Sequence, residues 1–389
     1  MTTQKTKLPE GWQEVELGDS EFFEILSSGI EKFEGEKDYL STESIQATKI
    51  EKIEAKITFK NRPSRANMQP VLNSVWFAKM QATLKVYVFD ENNKDEIKKY
   101  ILSTGFAGIR CKENKVYPKY LKYFFITNEF NKIKDSLCSG ATQKGIRNEE
   151  IAKIKIPLPP IETQKKIVAI LEKAEKLKEK REQAIKLADE YLKSVFAEMF
   201  LKEKDKFEEV ELEEVTEIIM GQSPPGNSYN ERKKGMPFFQ GKAEFTEKYP
   251  IVKKWTTYPL KIAEPNSILI SVRAPVGDVN INKIKSCIGR GLASIKPSKN
   301  ISVEYLFYFF IYKKNQIENL GAGSTFKAIT SKQLKSIKIP LPPIELQQKF
   351  ASIVEKVEKL KEKQLESKKK IDEMFNSLMQ KAFRGELVK

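Results

Sequence analysis

Apolar residues recur every three or four positions through two long stretches that lack glycine and proline, residues 161 to about 200 and 344 to about 383. In the first, Ile167, Leu171, Ala174, Ile185, Ala188, Leu192, Val195 and Met199 fall on one stripe; in the second, Phe350, Val354, Val357, Ile371, Phe375, Leu378 and Ala382 do. Such a stripe predicts a helix with a second helix along its seam. The seam is interrupted where Lys178 and Arg181, and correspondingly Lys361 and Gln364, take apolar positions while Leu177 and Leu360 lie beside them. That polar centre either sets register, binds another protein, or is a loosened seam with snorkelling lysine stems. Outside the helices the pattern shortens. Apolar runs at 74–80, 84–89 and 267–272, flanked by turn residues, predict strands. The stretches YLKYFFITNEF from Tyr120 and YLFYFFIYKKN from Tyr305 predict amphipathic helices packed on sheets, and glycine-rich turns at 105–110, 272–278 and 288–293 place Arg110, Arg273 and Arg290 on loops.

The chain repeats itself. Residues 154–162 and 337–345 both read IKIPLPPIE, nine identities of nine at an offset of 183. At the same offset EKAEKLKEK (172–180) returns as EKVEKLKEK (355–363), and SGATQKGI (139–146) as AGSTFKAI (322–329). The prolines of each PLPP force an extended linker between a globular segment and a helix. The expected organisation is α+β: a mixed α/β segment 1–153, linker and helix 154–203, a second mixed segment 204–336, and linker and helix 337–389. The first helix runs from one globular segment to the other and the second must return, so the pair is expected to be antiparallel. Forty residues at about 1.5 Å each span roughly 60 Å. The expected molecule is two similar heads separated by an antiparallel two-helix coiled coil about a pseudo-twofold axis.

Charge then narrows the partner. With 69 Lys+Arg against 53 Asp+Glu the net charge is +16, which favours an anionic partner, nucleic acid before a membrane surface. The excess is +4 in residues 1–160 and +8 in 204–343, while the helices are nearly neutral. The heads are therefore where phosphate is expected. There is no histidine, which removes the commonest general base and imidazole metal sites. Cys111, Cys138 and Cys287 form no CxxC pair, and a reducing cytoplasm is expected. No signal peptide and no membrane span are expected, because no apolar run reaches about 18 residues.

Two variable heads, each followed by KIPLPPIExQ and a Lys/Glu-rich helix, with QKAFRGEL near residue 387, resemble the specificity subunit of Type I restriction-modification systems. The second head, with GQSPPG (221–226), SVRAPVGD (271–278) and IGRGLA (288–293), also resembles a recurrent target recognition domain of that family; the first, with SSGI (27–30), KITFKNRPSRAN (56–67) and VWFAKM (75–80), resembles a different one. The resemblance implies a chain without catalysis of its own. Each head would read one half of an asymmetric bipartite double-stranded DNA target in the major groove, and the helices would fix the unread spacer. They would also dock two methyltransferase subunits, joined by restriction/translocase subunits. S-adenosylmethionine, ATP and Mg belong to those partners, with no cofactor implied in this chain. Consistently, neither an adenine-methylase [DNS]PP[YFW] motif nor a GxxxxGK[ST] phosphate loop occurs.

Arginine reads guanine and Asn or Gln reads adenine through paired hydrogen bonds. The candidate DNA-binding residues are Arg62, Arg65 and Asn67 in the first head, and Gln222, Ser223, Asn227, Gln240, Arg273 and Arg290 in the second. The competing role for each arginine is a structural ion pair, for example Arg273 with Asp278. Lys144 and Lys327, at equivalent repeat positions, are candidates for phosphate contacts or ordinary exposed lysines. Three classes stay open: a DNA-reading subunit, with a methylase-only or Type IIB-like system as its variant; a head hiding a nuclease or methylase; and a coiled-coil adaptor that binds only protein.

Overall fold

The computed structural model describes residues 8–140, 144–202, 204–320 and 328–388, and the chain divides into two compact units, residues 1–180 with 368–389, and residues 181–367. In the first unit the strands Gln13–Glu16 and Lys155–Leu158 form an antiparallel ribbon, with Gln13 opposite Leu158. Two four-stranded sheets follow. One runs Ala55–Ile57, Lys37–Leu40, Tyr100–Ser103, Ala66–Met68, and the other Phe23–Ile25, Phe106–Cys111, Ser74–Ala78, Val86–Phe89. Tyr100–Ser103 lies parallel to Lys37–Leu40, so the first is a mixed sheet.

The second unit has its own ribbon, Glu208–Glu211 against Lys338–Leu341, with Glu208 opposite Leu341. Its four-stranded sheet runs Thr216–Met220, Leu292–Pro297, Ser267–Ser271, Val279–Asn282. A five-stranded sheet runs Tyr229–Asn230, Lys254–Thr256, Met236–Phe239, Ser286–Ile288, Ile262–Ala263. The ribbons match in register and, but for Gln13 against Glu208, in sequence; the sheets beyond them differ in strand number and order.

Each PLPP is followed at once by a helix, Ile161–Phe196 and Ile344–Arg384. The start is built from one glutamine used twice. Gln164 is fully buried; its Oε1 accepts from the Tyr117 amide at 2.8 Å, and its Nε2 donates to the carbonyls of Lys115 at 3.0 Å and Pro159 at 2.8 Å. Gln347 repeats all three bonds with Ser302, Asn300 and Pro342. Next to it, Tyr120 Oη donates to Pro157 O at 2.6 Å and Tyr305 Oη to Pro340 O at 2.5 Å. The carbonyls of Pro157, Pro159, Pro340 and Pro342 are thus satisfied by side chains.

The helices close the cores. Ile167, Val168 and Leu171 share a buried cluster with Met379, Ala382 and Phe383 in the first unit, and Leu192, Phe196 and Phe200 one with Phe350 and Val354 in the second. A five-residue π-turn, Ala197–Leu201, carries the first long helix on beyond Phe196 and brings Phe200 within 4.8 Å of the Tyr305 ring and 5.5 Å of the Phe350 ring. The polar seam is paired within each unit. Lys178 meets Asp372 at 2.9 Å in the first; in the second, Arg181 donates to Gln364, and Lys361 bridges Asp189 at 2.7 Å and Glu247 at 2.6 Å. Leu177 and Leu360 remain exposed.

The strands expected at 74–80, 84–89 and 267–272 form as Ser74–Ala78, Val86–Phe89 and Ser267–Ser271. Two local readings are corrected. The stretch 105–110 is no turn: Phe106–Cys111 is a strand paired on both sides, with Gly108 opposite Trp76, and Arg110 projects from it 3.6 Å from Glu24. Gly108 serves there as space, since a Cβ would lie 2.6 Å from the Trp76 indole. The aromatic stretch from Tyr120 is two helices, Pro118–Phe125 and Asn128–Ser136, because Thr127 caps the second by accepting the Phe130 amide at 3.1 Å. Its counterpart lacks that cap signal and continues as one helix, Val303–Leu320.

Candidate nucleic-acid interface

In the second unit four chain segments meet where two parallel strands end. Met236–Phe239 runs parallel to Ser286–Ile288, so Gln240 and the 289–291 turn leave the sheet side by side, linked by Gly289 N to Phe239 O at 2.8 Å. The segment from Gly221 lies across them: Gln222 N donates to Ile288 O at 3.0 Å, Gly221 N to Leu292 O at 2.9 Å, and Ser223 Oγ accepts the Arg290 amide at 3.3 Å. Any side chain at Gly221 would overlap the Gly289 carbonyl. Val272 N donates to Gly291 O at 2.9 Å, which brings Arg273 in from a fourth segment. Gln222, Ser223, Gln240, Arg273 and Arg290 therefore converge, and all but half-buried Ser223 are exposed. Exposed Asn227 lies in a short 3-10 turn, Gly226–Ser228, further along the first of these segments.

The suggested Arg273–Asp278 ion pair does not form. Asp278 is held by Lys242 at 2.5 Å and Lys314 at 2.7 Å, which fill both carboxylate oxygens. Burial pushes its carboxyl up, and the two ammonium groups outweigh this and hold it below the usual aspartate range. Arg273 has no ion pair among the described residues.

The first unit gathers its candidates less tightly. Asn67 sits half-buried in the Ala66–Met68 strand, its carbonyl accepting the Gly29 amide at 2.8 Å. Exposed Arg65 precedes it, its carbonyl accepting from Thr104. Arg62 is folded back: its guanidinium lies 4.2 Å over the Phe59 ring and donates to the Phe59 carbonyl. Lys144 is exposed beside the 80–83 turn, its carbonyl accepting the Gln81 amide at 3.0 Å. That turn is clamped by Lys134, 1% exposed, whose Nζ donates to Met80 O at 2.8 Å and Thr83 O at 2.7 Å. Lys327 lies outside the described residues.

One segment was missed from the sequence. Residues 257–261, TYPLK, are all exposed and run alongside the second unit's cluster. Thr257 N donates to Ser228 O at 3.1 Å and Ile288 N to Lys261 O at 2.9 Å. Their one sequence signal is a proline between two apolar residues in a lysine-rich stretch, which reads equally as an ordinary turn.

Two sheet-bearing units on one repeated helix start, with exposed Arg, Gln and Asn gathered on loops, are matched by a family. Residues 9–187 and 204–373 fit the model of the Type I restriction modification DNA specificity domain. The chain belongs to that family. It is a specificity subunit, the non-catalytic DNA-recognition component of a type I system. Relatives include a protein of Methanocaldococcus jannaschii assigned as the type I restriction enzyme MjaX specificity subunit, 39% identical over 298 residues, 72% of this chain and 70% of that protein. The MjaVIII specificity subunit of the same organism is 25% identical over 433 residues, covering 98% of this chain and 94% of its own. Among solved structures, a chain from work on the assembly and conformational transition of the type I R-M system superposes with a TM-score of 0.68 at 31% identity, covering 98% of this chain and all of its own. The Type I S subunit of M. genitalium shares the fold, with a TM-score of 0.56 at 15% identity over 98% of both chains. No helix among the described residues of the specificity subunit is long and apolar enough to cross a membrane.

Proposed function

We propose that each unit of this specificity subunit reads one half of an asymmetric bipartite duplex target. One observation carries the reading: the same proline-and-glutamine helix start is built twice beneath two unlike sets of sheets. The repeated part suits a shared task, and the unlike parts suit two different half-sites. In the second unit Arg273 and Arg290 read guanine on this proposal, and Gln222, Gln240 and Asn227 adenine, with Ser223 adaptable; the exposure of all but Ser223 and the convergence of all but Asn227 on one end of the sheet support it. Arg65 and Asn67 take these roles in the first unit. Arg62, stacked on Phe59, orients the loop as well as presenting charge, and Lys144 and Lys327 contact phosphate.

On this reading the segments fall at 1–153 and 204–336 for recognition and at 154–203 and 337–389 for the linkers and long helices. The helices, of 36 and 41 residues, set the spacer and dock two methyltransferase subunits. Restriction subunits join that core in the cytoplasm, and S-adenosylmethionine, ATP and Mg act there. Methylome sequencing of a host carrying this chain with its methyltransferase tests the reading. Two unlike half-sites separated by a fixed gap are expected. A single continuous site, or methylation independent of this chain, would sink it.

A further inference from the structure

The 257–261 segment is held rigid along its length. At one end the Thr257 amide is bonded to Ser228 O, and the Tyr258 amide donates at 3.1 Å to Thr256 Oγ1, itself paired with Ser228 Oγ at 2.8 Å in the buried interior. At the other, Lys261 O accepts from Ile288, and the Leu260 and Lys261 backbone sits on the buried Cys287 thiol. Pro259 fixes the backbone between. This rigid loop holds Tyr258 60% exposed and Leu260 36% exposed in water. Beside it stand exposed Lys261 and the Arg232, Lys233 and Lys234 turn, which closes at Gly235 against Thr256 and Thr257 before the Met236–Phe239 strand. Gln222 N donates to Ile288 O and Ile288 N donates to Lys261 O, so the loop and the cluster are fastened to the same residue.

We infer that Tyr258 and Leu260 are a fifth reading element of the second unit, an apolar contact with thymine methyl groups in the major groove beside the bases read by Gln222 and Arg290. The inference rests on the reading of this unit as a DNA head. Charge complementarity selects the occupant: a basic rim fits a polyanion, and thymine C5-methyl is the apolar group that duplex DNA displays in its major groove. The backbone bonds order the loop before binding, so little entropy is lost when the contact forms.

The test uses the full-length chain with its methyltransferase subunits and a pool of duplexes randomised at both half-sites and in the gap, recovered by binding and sequenced. Wild type is expected to select thymine at one or more positions of the second half-site. Tyr258→Ala with Leu260→Ala is expected to lower that preference about fourfold at each such position while leaving the first half-site unchanged, and Tyr258→Phe to retain it. Replacing the selected thymine by uracil, which lacks one methyl, is expected to weaken wild-type binding about fourfold and the double variant hardly at all. Lys261→Ala is expected to reduce the salt slope by about 0.9 without altering selectivity. Unchanged thymine preference in the double variant overturns the inference and leaves the head reading standing. Loss of methyltransferase assembly with intact DNA selectivity overturns it too, assigning the loop to a protein partner. Absence of any second-half selection by wild type removes the head reading itself.

Discussion

Buried hydroxyls and carboxamides in this chain are valuable because each has a backbone group to serve. Truncating Gln164 to an apolar residue would orphan one amide and two carbonyls, at about 1–3 kcal/mol for each group left buried without a partner. The tyrosines beside these glutamines make a related point about pH. Burial raises the hydroxyl pKa values of Tyr120, Tyr305 and Tyr308, and burial together with the Glu175 carboxylate raises that of Tyr123. A raised native value means that above about pH 10 the unfolded chain releases protons which the native chain keeps. Stability is then fully present below that pH and falls as pH rises through the interval up to the native values, by about 1.4 kcal/mol per pH unit for each such tyrosine. With no histidine in the chain, denaturant midpoints measured from pH 6.5 to 7.5 are expected to be nearly flat; burial raises the thiols of Cys111, Cys138 and Cys287 as well, so a decline is expected to begin above about pH 8.5 and to steepen above pH 10. A midpoint unchanged at pH 11 would show that these hydroxyls ionise within the fold.

Elements divide sharply into those a linear reading reaches and those it does not. The long helices start at the residue after PLPP, and the two ends of the first stripe, Ile167 with Leu171 and Leu192 with Val195 and Met199, do face cores, because both signals are local; Ile185 and Ala188 between them join no core cluster and stay half-buried. The 105–110 stretch misleads because its glycine is used for space, a fact that resides in Trp76, some thirty residues away. Gly108→Ala tests that account. The added methyl would press on the indole, so a loss of about 1–3 kcal/mol is expected in chemical denaturation, whereas an unchanged midpoint would show that the indole yields to a methyl and that space is not the reason for glycine there. The candidate site divides the same way. Residue type and turn context were enough to pick Gln222, Gln240, Arg273 and Arg290, but their convergence depends on a parallel strand pair with Cys287 opposite Phe238. The same long-range pairing seats the 257–261 loop. Arg62 shows the converse: its aromatic neighbour three residues away was visible, yet the stacking that folds it back arises only from the turn between them.

At the scale of the whole molecule, each long helix contributes residues to both compact units, the first dividing between residues 180 and 181 and the second between 367 and 368. If the proposed ruler operates, helix length and DNA spacer length are one quantity measured in two polymers. Removing one heptad shortens a helix by about 10.5 Å and returns nearly to the same face, since seven residues make almost two turns. Opposed heptads must go from both helices, because a deletion in one alone would throw Lys178 out of register with Asp372 and Arg181 with Gln364. At about 3.4 Å per base pair along each strand, the paired deletion is expected to contract the recognised gap by about three base pairs while both half-sites stay as they were, read by methylome sequencing. The single-helix deletion should methylate poorly at every spacing, because it disturbs the seam and leaves each head intact. A paired deletion that retains the original gap would show that something other than these helices sets it, and the ruler would have to be sought in the partner subunits.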